Sequence, residues 1–167
     1  MFPDAEDLAV IRKLDFKNSS TWVATWGGLG FLRPAPGTWG SVGALPFGFI
    51  FYSIGGVFAV AVLAAVIIYV GLWACRKFEE KTGEHDSKMI VIDEVAGQLI
   101  ALLPTAMNPF LILMSFIFFR FFDIVKPGPI GTIDKTMPGP RGVMADDILA
   151  GIAAAICVLG LRYAGLG

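Results

Sequence analysis

From Leu45 to Cys75 the chain carries no charged residue. One membrane crossing needs about 20 mainly apolar residues, so this run is longer than a single span requires. Gly55-Gly56 divides it, and a glycine pair is a natural place for an apolar helix to break. The pattern predicts two helices, over about 41–54 and 57–75. A second uncharged run, Val95 to Phe119, is interrupted by Pro104-Thr105-Ala106-Met107-Asn108-Pro109. Prolines and turn formers there predict two short halves that enter and return. A third apolar segment covers about 148–166. The expectation is an all-α, multihelical integral membrane protein with about five apolar helices, two hairpins and an interfacial polar site.

Composition agrees. Hydrophobic residues make up 56% and charged residues 16%, against about 25% charged in an ordinary soluble domain. Net charge is −1 and no basic stripe is present, which argues against nucleic acid as the main partner. Cys75 and Cys157 lie in apolar runs and read as small buried hydrophobes, not as a disulfide or zinc site. A single domain over 1–167 is expected. Residues 1–20 are polar, without an apolar leader segment, and read as a short surface helix or an unstructured arm. Residues 22–43 read as a Gly/Trp/Pro loop, 76–94 as a polar connection and 120–147 as a polar loop.

Basic residues set orientation. Arg12, Lys13, Lys17 and Arg33 precede the first apolar run; Arg76, Lys77, Lys81 and Lys88 follow it; Arg120, Lys126, Lys135 and Arg141 occupy the next polar segment. If all three segments are cytoplasmic, both uncharged runs are hairpins. A straight span over 95–119 would put Asp93 and Asp123 on opposite membrane faces, whereas a hairpin puts them on one. Trp22, Trp26 and Trp39 fit an interfacial aromatic belt.

The remaining charges gather at the ends of these runs. Asp93-Glu94 opens one helix, with Gly97 a turn later; Asp146-Asp147 opens another, with Ala150 and Gly151 a turn later. A single acidic pair at a helix start suits the helix dipole and implies nothing more. Two such pairs, with Asp123 at a third boundary, point to a hard cation, and carboxylate oxygens suit Mg²⁺. Arg120, Asp123 and Lys126 stand at i, i+3, i+6, one side of a helix that Pro127 ends. Salt bridges capping the helix would explain that spacing alone; beside the acids it suggests phosphate binding. In Pro36-Gly37-Thr38-Trp39-Gly40-Ser41, a glycine-flanked turn leads into the first apolar helix, where backbone N–H groups bind anions and Thr38 and Ser41 add hydroxyls. Ser41 is equally an N-cap candidate. His85, the one histidine, precedes Asp86 and is a candidate general acid or metal ligand.

Several phosphatase chemistries are absent. Neither cysteine begins a Cys-x5-Arg loop, one histidine cannot serve a two-histidine mechanism, and neither an Asp-x-Asp-x-Thr motif nor a Gly-x4-Gly-Lys-Ser/Thr loop occurs.

Four segments together resemble the phosphatidylglycerophosphatase A family. They are Phe31-Leu32-Arg33-Pro34-Ala35-Pro36-Gly37-Thr38-Trp39-Gly40-Ser41; His85-Asp86 with Ile92-Asp93-Glu94-Val95-Ala96-Gly97; Phe119-Arg120-Phe121-Phe122-Asp123-Ile124-Val125-Lys126-Pro127-Gly128-Pro129-Ile130; and Gly142-Val143-Met144-Ala145-Asp146-Asp147-Ile148-Leu149-Ala150-Gly151. They run in family order. One departure is Gly128, where family members often carry Trp. The resemblance implies a Mg²⁺-dependent lipid phosphatase of the bacterial inner membrane, multi-pass, with its site on the cytoplasmic face. It would convert phosphatidylglycerophosphate to phosphatidylglycerol and inorganic phosphate.

The site expectation follows. Asp93, Glu94, Asp123, Asp146 and Asp147 hold metal. Asp93, Glu94, Asp123, Lys126 and His85 act in catalysis. Thr38, Ser41, Arg120 and Lys126 bind substrate. Two other readings remain: a metal-dependent CDP-alcohol phosphotransferase, whose Asp-Gly-x2-Ala-Arg signature is missing, and a non-enzymatic ion carrier, which calls for charges buried mid-span.

Overall fold

The computed structural model describes residues 5–84 and 87–167. Among them are seven α-helices and no strand: α1 (Ala5–Lys13), α2 (Ser19–Ala24), α3 (Pro36–Thr82), α4 (Ile92–Leu102), α5 (Pro109–Val125), α6 (Pro129–Thr136) and α7 (Pro140–Tyr163). Short 3₁₀ turns cover Leu29–Phe31 and Leu103–Thr105.

α3 reverses where the glycine pair predicts. Gly55 and Gly56 leave helical geometry, with Gly56 at φ 64, ψ −154, a conformation glycine alone adopts freely. A straight helix rising ~1.5 Å per residue would set Gly40 and Gly71 roughly 46 Å apart. Instead a Cβ on Gly40 would meet Val91, and one on Gly71 would meet Ile92. The two arms of α3 therefore return to the same end. α4 and α5 form a second antiparallel pair. Ala106 and Met107 turn the chain at positive φ, and the Asn108 side chain caps α5 by accepting from the Phe110 and Leu111 N–H groups. Gln98 Nε2 donates to Ser115 Oγ at 3.3 Å across the pair.

α4 is the central element. Val95, Ala96 and Leu99 are fully buried, enclosed by α3, α5 and α7. α7 crosses α4 at glycines: a Cβ on Gly151 would lie 2.4 Å from the Gly97 carbonyl oxygen, and one on Gly97 would lie 2.6 Å from the Asp147 carbonyl oxygen. The small residues after each acidic pair thus let the two helix backbones touch. α7 then runs to the opposite end, where Arg162 donates to the Pro104 carbonyl.

Several helices extend past the expected boundaries. α3 begins at Pro36 and continues to Thr82, α5 continues to Val125, α7 begins at Pro140, and α6 lies within the expected 120–147 loop. Segment 22–43, read as a loop, contains the end of α2, a 3₁₀ turn and the start of α3. Loss of hydropathy marks where a helix meets the polar boundary, not where its hydrogen bonding stops. α1 realises the helical option for the N-terminal arm and is tied down by Lys13 Nζ donating to the Thr82 carbonyl at 3.0 Å.

Large apolar side chains face outward along the bundle, including Ile54, Phe58, Val62, Ile117, Ile124 and Ile156. Continuous exposed apolar faces of this kind suit a bilayer. Pro36–Thr82 and Pro140–Tyr163 are long and apolar enough to cross a membrane. The chain is an all-α, membrane-associated bundle.

Candidate metal and phosphate site

The acids separated in sequence converge at one end of the bundle. α4 begins at Ile92, so Asp93 and Glu94 occupy its first turn, while Asp146 and Asp147 lie two turns into α7. The Gly97–Gly151 crossing draws these turns together. Carboxylate oxygens of Asp93, Glu94 and Asp147 lie within 4.8 Å of one another, and Asp93 and Asp147 are only 7% and 3% exposed. Asp123, in the last turn of α5, stands beside Asp147.

Two cations complete the group. Arg120 Nη1 meets Asp123 Oδ2 at 2.6 Å and Glu94 Oε1 at 3.8 Å, and it reaches Ser41 Oγ at 3.5 Å. Lys126 Nζ sits 2.5 Å from both Asp146 Oδ2 and Asp134 Oδ1. Partial burial pulls the Lys126 ammonium toward deprotonation, but Asp134 and Asp146 outweigh that, so its pKa stands above that of an ordinary lysine. Lys126 also takes a left-handed backbone conformation, φ 47 and ψ 54, as the C-cap of α5. That conformation is costly for a residue with a Cβ, and it turns the chain so that the ammonium faces α7.

These groups line a cavity of about 750 Å³. All five expected acids, Arg120 and Lys126 reach it. Ser41 lies beneath, buried inside α3, donating to the Gly37 carbonyl at 2.9 Å while contacting Arg120. It is not the N-cap of α3; Ala35 takes that place. Thr38 is half-buried in the first turn of α3 and is not among the lining residues, whereas Pro36 and Gly37 are. His85 lies outside the described residues. Arg33, Lys88 and Asp134 also line the cavity without having been singled out for the site. Arg33 adjoins the Pro34–Gly37 turn and could have been suspected; Lys88 and Asp134 carry no local signal.

Glycines shape the walls. A Cβ on Gly37 would lie 1.8 Å from Glu94 Oε1, so only glycine leaves room for the carboxylate there. Gly128 has φ 54, ψ −119, a region in which a side chain is strained; the departure from Trp at this position matches the backbone it adopts.

The donor set fits a hard divalent cation. Asp93, Glu94 and Asp147 offer oxygen ligands at mutual distances a single ion can bridge. Glu94 Oε2 and Asp146 Oδ1 are buried without a hydrogen-bond partner among the described residues, and orphaned buried oxygens are rare unless something else satisfies them. Asp146 itself points to Lys126, one step away from the closest three acids.

A family model described as phosphatidylglycerophosphatase A matches residues 22–162. A phosphatidylglycerophosphatase A of Haemophilus influenzae is 38% identical over 157 residues, covering 92% of this chain and 94% of the relative. One from Escherichia coli K12 is 32% identical, covering 93% and 90%. A putative phosphatidylinositol-3-phosphatase of Bacteroides thetaiotaomicron is 33% identical, covering 84% and 92%. No solved structure matches the chain. With the family model spanning every segment that builds the cavity, the chain belongs to the phosphatidylglycerophosphatase A family.

Proposed function

We propose that this protein is a Mg²⁺-dependent lipid phosphatase that hydrolyses phosphatidylglycerophosphate to phosphatidylglycerol and inorganic phosphate. The observation that carries the reading is the meeting of Asp93, Glu94 and Asp147 beside Arg120 and Lys126 in one cavity. Oxygen ligands for a metal and donors for a phosphate stand side by side. Family membership supplies the substrate's headgroup, which the geometry alone does not.

Asp93, Glu94 and Asp147 would hold Mg²⁺, with Asp123 and Asp146 at its margin. Bound there, the ion would supply charge neutralisation for phosphoryl oxygens and lower the pKa of a water. Arg120, fixed by Asp123 and Glu94, places its guanidinium beside the carboxylates, where charge on a departing phosphate would build. Lys126, fixed by Asp146, does the same from the α7 side. The first turn of α3 lines the cavity at Pro36 and Gly37; Pro36 has no N–H, so the Gly37 N–H is the backbone donor this turn would offer to an anion. His85 remains a candidate proton donor.

Charge position argues against the ion-carrier alternative. The acids collect at one end of the bundle, while the middle of the α4–α5 pair holds the neutral Gln98–Ser115 contact. We place that end on the cytoplasmic face of a bacterial inner membrane. The chain would be one membrane-embedded domain, multi-pass, with the two arms of α3, the α4–α5 pair and α7 as its five apolar helices.

The test is phosphate release from phosphatidylglycerophosphate by the detergent-purified protein, with Mg²⁺ and then with EDTA. Release that EDTA abolishes and Mg²⁺ restores is expected. Folded protein that releases none under either condition overturns the reaction, and release indifferent to EDTA overturns the metal.

A further inference from the structure

A second cavity, of about 660 Å³, lies between the returning arm of α3 and the start of α7. One wall is a stripe of α3: Tyr69, Leu72, Trp73 and Arg76, at i, i+3, i+4 and i+7, one face of a helix, with Glu79 and Glu80 lining the groove just beyond it. The stripe is graded along its length. Tyr69 is 78% and Trp73 42% exposed within the apolar run, and Arg76 is the first charge beyond it. The other wall is Pro138, Pro140 and Arg141.

Pro138 lines this groove and the acidic cavity alike. The turn before α7 is therefore a thin partition, with Gly139 and Gly142 on the acidic side and Pro140 and Arg141 on the groove side. It is held tightly: a Cβ on Gly142 would lie 1.7 Å from the Met137 carbonyl oxygen.

The groove holds two carboxylates, Glu79 and Glu80, and two guanidiniums, Arg76 and Arg141, and the guanidiniums differ in their pairing. Arg76 is committed to Glu80, Nε to Oε1 at 3.0 Å. Arg141 makes no ion pair among the described residues and carries its guanidinium one residue into α7. An anionic group held by Arg141 would have apolar substituents directed down the Trp73, Leu72 and Tyr69 stripe, and a polar extension directed over Pro138 toward the carboxylates. A phospholipid with a phosphodiester near the glycerol backbone and a second phosphate further out has that order of parts.

We infer that the groove between Tyr69–Arg76 and Pro138–Arg141 seats the substrate lipid, with Arg141 on the internal phosphodiester and the acyl chains along Trp73, Leu72 and Tyr69. This rests on the proposed reaction and deepens it. Amphipathic aromatic side chains at the headgroup level suit such a seat, and the guanidinium suits a phosphodiester. The groove explains how a membrane-resident substrate reaches a polar cavity without leaving the bilayer.

The experiment compares two substrates of the intact protein in detergent: phosphatidylglycerophosphate in mixed micelles, and its deacylated, water-soluble counterpart glycerophosphoglycerophosphate. Arg141→Gln should raise KM for the lipid about tenfold, the scale of one charge-assisted hydrogen bond, with kcat nearly unchanged. Arg141→Lys should recover part of that loss. Trp73→Ala should raise KM for the lipid and leave kcat/KM for the soluble substrate within about twofold of the parent. If Trp73→Ala does not fold, Arg141→Gln, which alters an exposed side chain, decides alone. Equal losses on both substrates for Trp73→Ala, or no change in lipid KM for Arg141→Gln, overturn the lipid seat. Failure of the unaltered protein to release phosphate from the lipid overturns the reaction itself, before any variant is compared.

Discussion

Gly37 and Glu94 meet backbone to carboxylate: a Cβ on residue 37 would stand 1.8 Å from Glu94 Oε1 and 3.1 Å from Arg120 Nη1. The first turn of α3 thereby presses directly on the acids of α4. Gly37→Ala forces the flexible Glu94 side chain aside without disturbing the bundle. Activity should fall about a hundredfold, the cost of misplacing a site group by about 1 Å. The unfolding midpoint should stay close to that of the parent. Phosphate-release kinetics with a thermal melt in detergent check both halves; full activity would show that Glu94 needs no fixed position.

At Gly151 the neighbour cannot yield. Its Cβ would meet the Gly97 backbone, not a side chain. Gly151→Ala should separate α4 from α7 and destabilise by about 1–3 kcal/mol. A lowered unfolding midpoint in detergent is the expected reading, and an unchanged one would mean that the helix crossing has slack.

Removing one carboxylate of the closest group should act on turnover. Asp93→Asn, Asp147→Asn and Asp123→Asn should each cut kcat by about 10²–10³. Asp134→Asn should cost less than about tenfold, because Asp146 still holds Lys126. Equal losses at Asp134 and Asp147, or full activity of Asp123→Asn, would redraw the site.

Metal should stabilise the fold as well as the reaction. Asp93, Glu94 and Asp147 bring carboxylate oxygens within 4.8 Å of one another; like charges that close are costly, and a bound cation would turn that cost into ligation. Saturating Mg²⁺ at about 100 times its Kd should add about 2.7 kcal/mol. The midpoint should rise with Mg²⁺, drop with EDTA, and lose this response in Asp147→Asn. This readout needs no substrate.

Lys126 is held above the ordinary lysine pKa by Asp134 and Asp146, despite partial burial. It stays protonated below that raised value, through neutral and mildly alkaline pH. An alkaline decline in activity must then come from another group. Lys126→Arg, which cannot deprotonate in this range, should leave the alkaline limb of the pH–activity profile in place; movement of that limb would assign it to Lys126.

Local rules carried much of the architecture. Gly55-Gly56 marked the reversal of α3, and Pro104 to Pro109 marked that of the α4–α5 pair, because glycine and proline act on the backbone wherever they stand. Segments 22–43 and 120–147 misled because glycine and proline also occur at helix starts: Pro36, Pro129 and Pro140 each open a helix. Ser41 looked like a cap on the assumption that α3 began with the apolar run; the helix begins earlier, at Pro36, and buries Ser41 in its interior.

The sequence by itself determined that acids and bases would end apolar helices and that the chain would fold back twice to bring those ends together. Those are consequences of hydropathy, glycine and proline, which act within a few residues. Only the tertiary structure decided which acids face one another. Asp146 and Asp147 are neighbours in sequence, yet successive residues on a helix point about 100° apart. Asp147 accordingly joins Asp93 and Glu94, while Asp146 turns to Lys126. That choice depends on how α7 is rotated against α4, which the Gly97–Gly151 contact sets. Packing between residues distant in sequence fixes that rotation, and no local pattern records it.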